Sequence, residues 1–187
     1  MPHVQLASAL LYKPAPICLT LICFTPSLAA QTNFRRRPGT AKPKATLPTI
    51  LRQESLAAIH AISTLGTITY FTDGSVSAYG AAGAAFVCEG HVHSCRITDG
   101  VSAFQAELTA IQCALEHART LRDGAINIFT DSLSSLEALD HLSLKDNVLL
   151  LSSIYHLFQR LAAHNNTITL YWVPGHVGIA GNERADQ

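Results

Sequence analysis

Four acidic residues, Asp73, Glu107, Asp131 and Asp186, each sit in a segment whose neighbours would deliver it to one shared place. The segments are Tyr70-Phe-Thr-Asp-Gly-Ser75, Phe104-Gln-Ala-Glu-Leu-Thr-Ala-Ile111, Ile128-Phe-Thr-Asp-Ser-Leu-Ser-Ser-Leu136 and Trp172-Val-Pro-Gly-His-Val-Gly-Ile-Ala-Gly-Asn-Glu-Arg-Ala-Asp186. Carboxylates that converge at the end of an apolar sheet repel one another and lose hydration. They are tolerated mainly where a divalent cation neutralises them. The chemistry this pattern suggests is metal-dependent hydrolysis of phosphodiesters. Of the histidines outside the last segment, His91, His93, His117, His141, His156 and His164 are scattered along the folded part and make no convincing metal set.

The elements that must position these acids can be read from hydrophobic patterning. Ile68, Tyr70 and Phe71 read as a buried strand that delivers Asp73 at its end, with Gly74 and Ser75 as turn formers. Gly83 to Cys88 and His91 to Ile97 are two strands joined by Glu89-Gly90, completing a β-meander. From Val101, the apolar residues Val101, Phe104, Leu108, Ile111 and Leu115 recur at three and four, one face of a helix. Glu107 lies about 80° from the centre of that stripe at 100° per residue, at the boundary of the core. Ala125 to Thr130 is the next strand and ends in Asp131, and Ser132 opens a helix through Leu139. Two strands whose carboxyl ends both carry aspartate, joined by a crossover helix, are expected to be parallel neighbours with Asp73 beside Asp131. A helix through Val148, Leu151, Tyr155, Phe158 and Leu161 follows, then a strand from Thr167 to Val173 and a polar loop with His176.

With 187 residues and 48% hydrophobic content, the chain has room for one folded domain and an extension. Its net charge of zero hides an uneven distribution. Residues 1–66 carry seven Lys/Arg and the single acid Glu54, whereas residues 67–187 carry six Lys/Arg and twelve Asp/Glu. An acidic domain grips phosphates poorly, so binding to nucleic acid by this chain alone is expected to be weak. The five cysteines are odd in number and lack paired CxxC spacing, which points to reduced thiols; Cys88 and Cys95 flank the hairpin turn and could face each other across it.

The leader divides in two. Ile17 to Ala30 is apolar and ends in small residues, as a secretory signal does, but Pro14, Pro16 and Pro26 and a lone Lys13 fit that pattern badly. Residues 31–49 are polar, basic and proline-rich, so residues 1–49 are expected to be a disordered leader, with Arg35, Arg36 and Arg37 in a solvated tail. Residues 50–66 read as a short amphipathic helix leading into a domain over 67–187.

The "TDGS" strand, the "QAEL" helix, the "FTDS" junction and the "WVPGHVGIAGNERAD" terminus occur in the order found in type 1 ribonuclease H, and the chain most resembles the ribonuclease H domains of non-LTR retrotransposon polyproteins. The resemblance covers about residues 67–187. It implies an α/β ribonuclease H-like fold, a five-stranded mixed sheet flanked by helices, and endonucleolytic hydrolysis of the RNA strand of RNA–DNA hybrids with two Mg²⁺ or Mn²⁺ ions. Asp73 would bridge both ions, with Glu107 and Asp131 on one and Asp186 on the other. His176 would assist proton transfer or product release, Asn182 would contact substrate, and Ser75 and Gln105 would approach the hybrid's minor groove. In the family a helix follows the fourth aspartate, whereas this sequence stops at Gln187, leaving Asp186 on an expected frayed end. The stretch between Ser132 and Asn166 has only Lys145 and Arg160 as basic residues, so a neighbouring reverse transcriptase would supply the grip. The expected protein is a monomer of the nucleus or cytoplasm with no membrane association, the apolar leader keeping a secretory reading open. Two other readings also stay open: an inactive remnant acting at most as a nucleic-acid-binding module, and another nuclease or integrase on the same fold, against which "GNERAD" and His176 argue.

Overall fold

The computed structural model describes residues 20–23, 48–63, 66–141 and 147–187. In chain order the elements are β1 (Thr20–Cys23), α1 (Pro48–Ile62), β2 (Thr67–Val76), β3 (Ala82–Cys88), β4 (His91–Ile97), α2 (Ala103–Ala118), β5 (Ala125–Thr130), α3 (Leu133–His141), α4 (Val148–Ala163), β6 (Thr167–Trp172) and α5 (Ala180–Ala185). The strands form one mixed sheet in the order β1-β6-β5-β2-β3-β4. The meander β2-β3-β4 is antiparallel and β2-β5-β6 is parallel, as the sequence suggests.

The edge strand β4 is exposed, but where β2, β5 and β6 lie side by side the sheet is covered on both faces. On one, Tyr70, Phe86, Ile126, Ile128, Ile168 and Leu170 meet α2, α3 and α4 through Leu108, Ile111, Leu115, Leu136, Ile154 and Phe158. Fully burying a side chain of that size is worth about 1.5–3 kcal/mol, so this layer dominates the stability. On the other, Phe71, Phe129 and Tyr171 stack in a row across three strands, with centroids 5.0 Å apart at each step. Ile59 and Ile62 of α1 cover that row together with Ile179. The lead-in helix expected over 50–66 is therefore part of the fold, and it spans Pro48–Ile62.

Three local readings change. The first strand continues through Val76 instead of turning at Gly74, because Asp73, Gly74 and Ser75 pair with Ala85, Ala84 and Gly83 of β3. Gly74 is needed for a different reason: a Cβ there would lie 2.2 Å from the backbone of both Ala106 and Glu107, so α2 rests directly on the strand. The helix expected from Val101 begins at Ala103, because Ser102 is extended and caps it, its side chain accepting from the Gln105 N–H while the Gln105 side chain accepts from the Ser102 N–H. Finally, the hairpin register sets Cys88 opposite His91 and Cys95 opposite Ala84, so those two cysteines do not face each other.

The leader also differs from expectation at one point. Thr20–Cys23 pairs in parallel with Thr169–Trp172, making a sixth strand on the β6 edge. An open edge presents a row of unpaired N–H and C=O groups that any short β-prone segment can satisfy. Residues 1–19 and 24–47, including Arg35 to Arg37, lie outside the described residues. Among the described residues no helix is long and apolar enough to cross a membrane.

Candidate active site

Parallel pairing of β2 with β5 sets Thr72 opposite Thr130, so Asp73 and Asp131 emerge side by side where the two strands part. Glu107 arrives from the first turns of α2, and the absence of a side chain at Gly74 lets it come close. The Gly74 N–H donates to its carboxylate. Ligand oxygens of Asp73, Glu107 and Asp131 all lie within 4.8 Å of one another.

Among the described residues no Lys or Arg pairs with this trio. Burial, then the charges of Asp131 and Asp186, push the Asp73 carboxyl up to about 6, against a smaller opposing pull from His176. Burial, then Asp73 and Asp131, push Glu107 up to about 8, with the Gly74 N–H acting the other way. Glu107 Oε2 is buried without a hydrogen-bond partner. An unpartnered buried acceptor among mutually repelling carboxylates fits a hard divalent cation with oxygen ligands. The donor set contains no thiolate or imidazole, which separates it from zinc sites.

Asp131 is the most heavily braced of the three. Its backbone carbonyl accepts from Trp172 Nε1 at 2.9 Å, and Asn182 Nδ2 donates to its Oδ2 at 3.2 Å. Gly175 runs against the same carboxylate, where a Cβ would meet Oδ2 at 2.5 Å. Asn182 is buried, and its Oδ1 has no partner. The structure thus places Asn182 behind Asp131 as a brace, a role the sequence pattern did not suggest. Trp172 and Gly175 belong to a segment quoted for Asp186, but nothing local marks them as supports for a different acid.

Asp186 belongs to a second group. Its carboxylate oxygen lies 3.7 Å from His176 Nδ1, and ligand atoms of His176, Glu183 and Asp186 lie within 4.8 Å of one another. Its charge still reaches Asp73 and Glu107. The end expected to be frayed is a turn of helix: α5 closes with the Asp186 N–H donating to the Asn182 carbonyl at 3.0 Å. His176 is exposed, in a left-handed backbone conformation (φ 55°) between Gly175 and Gly178. The loop is tied at Gly178, whose N–H donates to Glu183 and whose carbonyl accepts from Arg52 of α1. Glu183 and Arg52 went unnoticed in the sequence; only the helical spacing of Glu183 from Asp186 hints at the first.

Ser75 is exposed on β2 two residues beyond Asp73. Gln105 is committed to the α2 cap and donates to Asn147 Oδ1. It also lines a shallow groove with Val101, Thr109, Val148 and Leu149.

The ribonuclease H family model matches residues 65–187, well over half of the chain and the whole of the unit from β2 to α5.

Proposed function

This chain belongs to the ribonuclease H family, hydrolases that act on RNA–DNA hybrids with divalent metal, and we propose that it cleaves the RNA strand endonucleolytically with two Mg²⁺ ions. The observation that carries this reading is the convergence of Asp73, Glu107 and Asp131, with Glu107 Oε2 buried and unpartnered. When bound, divalent cations supply Lewis-acid chemistry, activating a water on one side of the phosphorus and stabilising the 3′ oxygen on the other. In this proposal Asp73 would serve both ions, Glu107 and Asp131 would hold one, and Asp186 would hold the other. Asn182 and Trp172 keep Asp131 oriented, so that the carboxylates need little rearrangement on loading. His176, exposed beside Asp186, assists proton transfer or product release. By the family resemblance Ser75 and Gln105 would approach the hybrid near its minor groove.

The motifs in this order further suggest descent from a non-LTR retrotransposon polyprotein. The twelve acids and six basic residues of 67–187 leave little electrostatic attraction for phosphate, which supports a partnership with a neighbouring reverse transcriptase that holds the hybrid. We place its work in the nucleus or cytoplasm, acting as a monomer.

The test is cleavage of an end-labelled RNA–DNA hybrid by the full chain with Mg²⁺, beside Asp73→Asn and controls of single-stranded RNA and duplex DNA. The expected result is hybrid-only cleavage leaving 5′-phosphate and 3′-hydroxyl ends, lost in the variant and in chelator. Cleavage that survives Asp73→Asn, or a folded wild-type chain inert on hybrid, would overturn the assignment.

A further inference from the structure

Helix α2 does more than carry Glu107: lying over β2 and β3, it meets side chains of the edge strand β4 in matched register. His93 and His117 stand with ring centroids 5.0 Å apart, and Cys95 and Cys113 with Sγ atoms 3.6 Å apart. Two residues along a strand advance about 6.6 Å. Four residues along a helix advance about 6 Å. The strand pair 93 and 95 therefore meets the helix pair 117 and 113 rung for rung, with the two elements running in opposite directions. Each rung constrains the separation at the other, so the contact between the two sulfurs rests on two side-chain meetings, with α2 held over β2 and β3 beside them.

The two thiols differ in the way an exchange reaction requires. Cys95 is exposed on the sheet edge, whereas Cys113 is half-buried on the helix. Burial, then the hydrogen bond and charge of Cys95, push the Cys113 thiol up to about 12, which makes it a poor first nucleophile. The remaining described free thiol, Cys88, is buried and hydrogen-bonded to Tyr70. It lies four residues along β3 from Ala84, the partner of Cys95, which is about 13 Å and far beyond the reach of a disulfide.

We propose that Cys95 and Cys113 are a thiol–disulfide exchange site that takes small disulfides and closes to an intramolecular bond tying β4 to α2. The Cys95 thiolate attacks one sulfur of the small disulfide, whose S–S bond breaks and releases one thiolate. Cys95 is then in mixed disulfide with the other half. The Cys113 thiolate attacks the Cys95 sulfur, the mixed bond breaks, and the second thiolate leaves. Both released thiolates take up the protons the cysteines gave up. The pair has lost two electrons, and the small disulfide has gained them as two thiols. Because the sulfurs already touch, closure leaves Glu107, nearly two helical turns away, where it is. The bond removes freedom from the unfolded chain and so stabilises the domain. A reducing thiol pool reverses it.

The experiment incubates the full chain with oxidised glutathione, then maps disulfides by mass spectrometry under non-reducing conditions, read on the peptides that carry Cys95 and Cys113. The wild type is expected to show Cys95 joined to Cys113 with no glutathione retained on either. Cys113→Ser, which removes the resolving thiol, is expected to hold glutathione on Cys95. Cys95→Ser is expected to leave Cys113 unmodified. The oxidised wild type should melt several degrees above its reduced form, and neither variant should show that difference. Glutathione retained on Cys95 in the wild type, a bond from either residue to another cysteine, or no oxidation at all would overturn the proposal. The wild-type map decides this even if a variant folds poorly.

Discussion

Replacing Glu107 with Gln in metal-free protein is the sharpest test of the electrostatics of this site. The Glu107 carboxyl rises from 4.5 to about 8 in the folded chain, chiefly through burial and secondly through Asp73 and Asp131. A group whose native pKa lies above its unfolded one binds its proton more tightly in the native state. Its contribution to stability is therefore fully present below about pH 4.5 and is lost as pH rises through about 8. Integrated over that window, the loss comes to about 3 kcal/mol by pH 7 and roughly 5 kcal/mol once the group is ionised in both states. Glutamine has no proton to lose, so stability of the variant relative to wild type should grow steadily from pH 5 to pH 8. The assay is urea denaturation with chelator present, at half-unit steps of pH, for both proteins. Differences that do not depend on pH, such as amide packing, cancel from the slope. Adding millimolar Mg²⁺ at pH 7.5 should stabilise the wild type by mass action and narrow or reverse the gap, with a much smaller response in the variant. A gap that stays flat from pH 5 to pH 8, or that shrinks in chelator, would refute the claim that the folded chain holds an uncompensated carboxylate cluster.

Two further outcomes follow from the packing around the acids. In Gly74→Ala the new methyl would fall 2.2 Å from backbone atoms of Ala106 and Glu107, which cannot swing aside as a side chain can. Urea titration should show a loss of at least about 1–3 kcal/mol, and hybrid cleavage should fall with it because Glu107 is displaced; wild-type stability would contradict the close approach. Asn182→Ala removes the hydrogen bond to Asp131 Oδ2, and a bond to a charged group is worth roughly 1.5–3 kcal/mol. Asn182→Asp puts a further carboxylate against Asp131, so in chelator it should be less stable than Asn182→Ala and recover more with Mg²⁺. Equal stabilities of the two variants would show that Asn182 does not brace that acid.

How far the site was legible depends on the range of the interactions involved. The strands at Ala125–Thr130 and His91–Ile97 could be read directly as short β-prone runs bounded by turn formers, and the helix bearing Glu107 from its three-four spacing, a local consequence of burying one helix face. So could the adjacency of Asp73 and Asp131, because a right-handed crossover leaves few arrangements for two parallel strands. Gly74 was misread as a turn because a glycine in sequence reports permissiveness, and only the helix lying across β2 says what that permissiveness is for. Asn182, Trp172, Glu183 and Arg52 take their roles from neighbours between 5 and 126 residues distant, and no periodicity encodes such meetings. The same holds for Cys95, whose sulfur partner lies on α2 and not across its own hairpin.

The sequence by itself determined the strands and the helix that carry Asp73, Glu107 and Asp131, and the parallel arrangement that brings the two aspartates together, because each rests on short-range patterning or on a chirality rule. The tertiary structure alone decided that Glu107 approaches through the gap at Gly74, that Asp131 is braced by Asn182, that Asp186 pairs with His176, and that α1 covers the Phe71–Phe129–Tyr171 row. Those contacts exist only after two hydrophobic layers have closed on the sheet. Closing them brings distant side chains within a few ångströms, and it is at that distance that charge, hydrogen bonding and thiol chemistry begin to act.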